Sequence, residues 1–205
     1  MQERLLDQLE ELAVRFNNHD LPIILGGGMG LLLRRRFFGL SGRSPNYPLR
    51  PSARSTEDLD IILNLQVITD PQKTAQVREI LDELGYEPTV EHLIFERPGK
   101  TADFRVDLLA VVPPPDDRRN VKISEFRIRP RGFTRLHGHA TPEAGAIDEG
   151  KLRIPLDAIE PGRNGAVYIP SSLNFALLKI HAFRDRRESW RDGDGEDERD
   201  AAIRH

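Results

Sequence analysis

The hydrophobic positions fall into two kinds of stretch, one repeating at helical spacing and one running without interruption. Residues 2–18 set Leu5, Leu9, Leu12 and Phe16 three or four positions apart with charges between them, which predicts an amphipathic helix ending at Asn17-Asn18. The run Leu21–Leu25 predicts a short buried strand. It stops at Gly26-Gly27-Gly28, and a helix over Met29–Phe38 follows the glycines. Residues 39–55 are rich in Gly, Ser, Pro and Arg and predict a long loop. Asp58–Leu63 predicts a second strand. Residues 71–84 open on Pro71, a favoured first helical residue, and carry Val77, Ile80, Leu81 and Leu84 on one face. His92–Arg97 and Asp103–Val112 predict two strands joined by a turn at Pro98-Gly99-Lys100. Over 113–170 the pattern breaks at three prolines, and strand-like pieces at Val121–Ile128 and Leu152–Pro155 alternate with Gly and Pro. A helix from about Ser172 to Arg187 closes the periodic part, ahead of a tail dense in both charge signs.

Strands and helices that intermix in this way predict an α+β fold, a mixed β-sheet flanked by helices. Composition narrows the setting. A 205-residue chain with 38% hydrophobic and 31% charged residues is a globular protein with a polar surface. With a net charge of -3, any basic surface is local. The absence of cysteine excludes disulfides and thiolate metal sites and agrees with a cytoplasmic location. The acidic start is unlike a signal peptide, and no apolar run is long enough to predict a membrane span.

The sharpest chemical signal is Ser55-Thr-Glu-Asp-Leu-Asp-Ile-Ile-Leu63. Strand side chains alternate, so Asp58 and Asp60 share one face while Leu59, Ile61 and Leu63 share the other. Two such carboxylates repel unless a cation lies between them, and magnesium suits one or two carboxylates plus substrate phosphates, with manganese as the alternative. Asp107 interrupts a second apolar strand and needs a partner there. Beside the first pair it would complete a two-metal site for phosphoryl transfer. A lone Asp-x-Asp is more often a solvated turn or a cap, so the strand context carries the reading. Asp107 facing away, or buried in a private ion pair with an arginine, would contradict it.

Gly27-Gly28 lies where a strand passes into a helix. There the backbone takes positive φ or approaches something closely, and exposed amides at a helix start suit the phosphates of a nucleoside triphosphate. A tight turn without a ligand is the plain alternative. The dinucleotide pattern fails at Leu31, and the Walker pattern lacks its Gly-Lys-Ser/Thr.

These segments together resemble the DNA polymerase beta-like nucleotidyltransferase superfamily. The residues that carry the resemblance are Ile23-Ile-Leu-Gly-Gly-Gly-Met-Gly-Leu-Leu32, Arg54-Ser-Thr-Glu-Asp-Leu-Asp60 and Arg105-Val-Asp107. The form GGMGLLL followed by RSTEDLD is most similar to the bacterial branch of abortive-infection and toxin–antitoxin nucleotidyltransferases. Ser172–Arg186 and Asp197-Glu-Arg-Asp200 resemble, more loosely, that branch's Lys/His-Ala helix and the Asp-bearing helix after it. The resemblance implies a catalytic domain over 1–170 with an arginine-rich insertion at 39–53, and a helical region over 171–205 that completes the nucleotide site. It implies that Asp58, Asp60 and Asp107 hold metal, with Asp107 also helping to deprotonate the acceptor hydroxyl, that Lys179 contacts the triphosphate, and that Asp200 positions it or assists catalysis. Arg54 and Thr56 flank the acids and would touch phosphate or shape the turn. A toxin-type enzyme with a cognate antitoxin protein is also implied. The chain departs from the family in the long spacing between Gly28 and Asp58, and in the missing lysine ahead of Asp197.

The acceptor is suggested by charge. From Arg34 to Arg54 there are six arginines and no acid, and from Arg118 to Arg135 seven basic residues meet only Glu125. Phe37, Phe38, Tyr47, Phe126 and Phe133 are interleaved, which suits RNA, for instance a tRNA end. Solvated loops are the alternative. Transfer to a protein or to a small molecule such as an aminoglycoside competes within enzymes, although a drug-modifying site would favour an acidic groove. A silent module that binds RNA or a partner protein competes outside them. His137-Gly-His139 lacks a third ligand and is read as a polar loop.

Overall fold

The computed structural model describes residues 2–40, 58–89, 92–99, 104–124, 126–132 and 135–191. Arg54, Thr56, Asp200 and most of the 39–53 insertion lie outside the described residues. Five α-helices and ten strands are described: α1 (Gln2–Asn18), β1 (Ile24–Leu25), α2 (Gly27–Leu40), β2 (Asp58–Leu63), α3 (Leu65–Ile68), α4 (Pro71–Glu83), β3 (Glu87–Pro88), β4 (Ile94–Arg97), β5 (Phe104–Val111), β6 (Val121–Ser124), β7 (Arg127–Pro130), β8 (Gly138–Thr141), β9 (Leu152–Pro155), β10 (Ala166–Ile169) and α5 (Ser172–Arg191).

Among the described residues the strands join one mixed sheet in the order β6-β7-β8-β5-β2-β1-β10-β9, with β4 and β3 attached to β5. The architecture is α+β, a mixed sheet flanked by helices. At its centre β2 and β5 run parallel, their register setting Asp58 opposite Arg105 and Asp60 opposite Asp107. β1 runs antiparallel to β2, so the chain leaves β1 at Leu25 beside Ile61 and turns at Gly26 next to Asp60. The Gly26 amide donates to the Asp60 carbonyl at 2.9 Å and fixes that turn.

The two faces of the sheet are packed unequally. Leu59, Ile61, Val106 and Leu108 belong to a large core with the apolar stripes of α1, α2 and α4, where Leu9, Leu12, Leu33, Val77 and Leu81 are buried. Removal of that apolar surface from water is the main stabilising term. The opposite face has a smaller core of Ile24, Ile62, Val111, Ala144 and Ile147, against which Leu178 of α5 packs. Asp70 caps α4 by accepting from the Gln72 and Lys73 amides, with Pro71 in the first turn. The Ser171 hydroxyl likewise accepts from the Asn174 amide at the start of α5.

Several expectations are corrected. The second helix begins at the glycines, with Gly27 its first residue, and runs past Phe38 to Leu40. Val121–Ile128 is not one strand but parts of a hairpin, β6 and β7, that turns near Phe126. The polar loop expected at His137-Gly-His139 leads into β8, and buried His137 meets the His92 ring edge to face at 5.5 Å. Polar residues mask these short strands, and their state is decided instead by pairing, β8 on β5, β7 on β8 and β6 on β7.

Candidate functional site

Alternation along β2 and β5 builds the site. The odd positions Leu59, Ile61 and Leu63 go into the large core, and that commitment turns Asp58 and Asp60 to the opposite face. Parallel pairing sets Asp107 directly beside Asp60 and Arg105 beside Asp58. Neighbouring strands lie about 4.8 Å apart, so the acids are adjacent. The three strand acids therefore share one face, as the alternation predicts.

Asp107 is not left to the other two acids. Arg105 lies two residues earlier on the same face and donates from Nε to Oδ1 at 2.7 Å and from Nη2 to Oδ2 at 3.1 Å. This is a bidentate charge-assisted pair. It is not a buried one: the Arg105 side chain is 43% exposed and that of Asp107 17%. Asp58 and Glu96 also draw on the Arg105 charge and, with Asp107 the chief cause, raise its pKa. Among the described residues no group of three or more His, Asp or Glu stands arranged to hold a metal. Arg105 meanwhile donates to both oxygens of the third acid.

Asp60 carries the strain of this arrangement. Its pKa is raised to about 6, first by burial and then by the charges of Asp58 and Asp107, with Lys179 and Arg105 pulling the other way. Gly27 closes over it. Its φ is +53°, and a Cβ there would collide with the Asp60 carboxylate, so both backbone and space require glycine. Gly28 follows as the second residue of α2.

A cleft of about 350 Å³ opens at Asp60 and is walled by Gly26 and Gly27, by His139 and Glu143, and by Phe175 and Lys179 of α5. Phe175, Leu178, Lys179 and Ala182 recur at helical spacing, and all four line it. The structure thus brings together Gly27, Asp60 and Lys179, with Asp58 and Asp107 at their side. Arg105, Glu143 and His139 were not singled out as site residues from sequence. Arg105 was legible, since i and i+2 on a strand share a face. Glu143 lies in a Pro- and Gly-rich stretch without periodicity and gave no signal.

No protein-family model matches the chain. No curated protein matches it either. Among solved structures, the antibiotic-resistance factor ANT(2'')-Ia is similar over 94% of this chain and 97% of that one, at 12% identity and a TM-score of 0.35. A likeness this shallow carries no argument about activity, so function rests on the side chains themselves. No described helix is long and apolar enough to cross a membrane.

Proposed function

We propose that this chain is a metal-dependent nucleotidyltransferase, which moves a nucleotide from a nucleoside triphosphate to an acceptor hydroxyl. The observation that carries the reading is the in-register placement of Asp60 beside Asp107, with Asp58 on the same face and Gly27 closed over Asp60. A carboxylate pushed to about 6 by burial and then by two neighbouring acids would be relieved by a cation. Asp58 and Asp60 would hold magnesium, or manganese, and Asp107 would join them when Arg105 turns away. Bound there, the metal would neutralise charge on the phosphates of the substrate.

Lys179 enters the same cleft, and its charge reaches Asp60. It would take the outer phosphates, with the amides at the start of α2 around Gly27 and Gly28 as further donors. Arg54, Thr56 and Asp200 keep the roles that the resemblance implies. The acceptor oxygen attacks the α-phosphorus, the bond to the bridging oxygen breaks, and pyrophosphate leaves. Positioning and charge neutralisation supply most of the acceleration.

RNA is the acceptor that the surface supports best. The β6–β7 hairpin pairs Lys122 with Arg129 and Ser124 with Arg127, and it carries Phe126, 61% exposed, to the wall of the cleft. Cations beside an exposed ring suit a phosphate backbone and a stacked base. Arg34 does not contribute, because its guanidinium donates to the Pro170 carbonyl and the Ser172 hydroxyl and ties α2 to α5. The toxin-type role and its antitoxin partner rest on the sequence resemblance alone.

The test is transfer of label from each α-labelled triphosphate to total cellular RNA or protein, with magnesium. The wild-type chain labels RNA, and the D58N/D60N double variant, still folded, labels nothing. Equal labelling by the double variant would end this proposal.

A further inference from the structure

We propose that Glu143, set beside His181, is the base that takes the proton from the acceptor hydroxyl. This rests on the nucleotidyl-transfer reading and moves to Glu143 the proton-accepting role that the sequence suggests for Asp107. Asp107 accepts from Arg105 on both oxygens and, once released, would join the cation, so in either state it is committed. Asp58 and Asp60 are committed to the cation. A different carboxylate is needed on the acceptor side.

Glu143 meets that need by position. It lies in the short 3₁₀ turn Pro142–Ala144, which follows β8, and lines the same cleft as Asp60 and Lys179. Its side chain is only 14% exposed. Among the described residues no hydrogen bond ends on its carboxylate, and His181 Nδ1 lies 4.0 Å from it, an ion pair when that histidine is protonated. A carboxylate at the cleft wall with no hydrogen-bond partner among the described residues is available to a ligand that enters the cleft. The turn is firmly placed. The Gly145 amide donates to the Pro142 carbonyl at 3.2 Å, and Asn174 Nδ2 of α5 donates to the Ala146 carbonyl at 2.6 Å and to that of Glu149 at 3.3 Å. The helix that carries Lys179 and the turn that carries Glu143 are thereby held as one wall. His181 of α5 lies beside Glu143, and the other ionisable groups that line the cleft are Lys179 of α5, His139 of β8 and Asp60 of β2.

In the step itself the acceptor O–H bond breaks and its proton passes to a Glu143 oxygen. The freed oxygen forms the bond to the α-phosphorus, and pyrophosphate departs with the electron pair of the broken bond. Glu143 then returns its proton to solvent past His181. His181 is a positioning residue in this scheme, not a catalytic one.

The experiment uses the full chain, magnesium, labelled triphosphate and total cellular RNA and protein. E143Q is expected to lower kcat by about 10²–10⁴-fold, the usual contribution of a general base, with binding of a non-hydrolysable triphosphate analogue unchanged. E143A regains activity when formate is added, and H181A moves the acidic limb of kcat against pH. If E143Q does not fold, E143D, which keeps the carboxylate, retains partial activity. Wild-type kcat in E143Q overturns the proposal. So does an unchanged kcat with a raised acceptor KM, which would make Glu143 a binding group for a cationic acceptor. Failure of the wild-type chain to label anything overturns the transfer reading and this base with it. A slow E143Q beside an inactive D58N/D60N supports both.

Discussion

β2 and β5 present two faces with opposite logic. On one, Leu59, Ile61, Val106 and Leu108 are fully buried against three helices. On the other, Asp58, Asp60, Arg105 and Asp107 crowd four charged side chains into adjoining positions. The first face holds the sheet together, and the second is tolerated because the first is so well packed. Clusters that lower stability while pointing into a cleft are the usual mark of a working site. Strand alternation links the two, since the apolar residues that build the core orient the acids.

The largest way to break this comparison is to make the apolar face resemble the acidic one. Ile61→Asp buries an unpaired charge in the large core and is expected to cost more than about 4 kcal/mol, enough to leave the chain unfolded by circular dichroism. The reverse change has the opposite sign. Asp60 has its folded-state pKa raised from 3.8 to about 6, so the folded state binds more protons than the unfolded state between those values. Stability therefore falls as pH rises through that window and stays lower above it. A shift of about two units corresponds to at most about 3 kcal/mol. Asp60→Asn should then raise Tm at pH 7.5, leave it unchanged near pH 3.5, and abolish any stabilisation by magnesium. A Tm that drops in this variant at pH 7.5 would place Asp60 among the stabilising residues. The smallest effect is expected at Arg105. Arg105→Met frees Asp107, lowers the metal-free Tm slightly and enlarges the shift produced by magnesium. An unchanged magnesium shift would show that Asp107 takes no part in binding it.

Sequence carried some of this and hid the rest, for definite reasons. Helices α1, α4 and α5 and strands β2 and β5 were legible because each has a long periodic or continuous apolar pattern. The common face of Asp58 and Asp60 followed from alternation alone. The partner strand and its register did not, since pairing is decided by tertiary packing, and so the adjacency of Asp60 and Asp107 was an expectation until the fold set it. Arg105 stands in the Arg105-Val-Asp107 segment, but its pairing with Asp107 depends on a side-chain conformation that strand alternation leaves open. Strands β6, β7 and β8 are four residues each and are broken by charge, Pro or Gly, so local pattern gave little against the sheet that recruits them. Glu143 belongs to the same stretch.

The central claim is that the acids of β2 and β5 form a cation site whose repulsion rests on Asp60. Carboxyl carbon chemical shifts of Asp58, Asp60 and Asp107, followed by NMR from acid to neutral pH with and without magnesium and a triphosphate analogue, test it directly. The account predicts an Asp60 midpoint about two units above an ordinary aspartate in metal-free protein, and a large fall in that midpoint when magnesium and the analogue are present. An Asp60 that titrates like an ordinary aspartate, unmoved by magnesium, would contradict it.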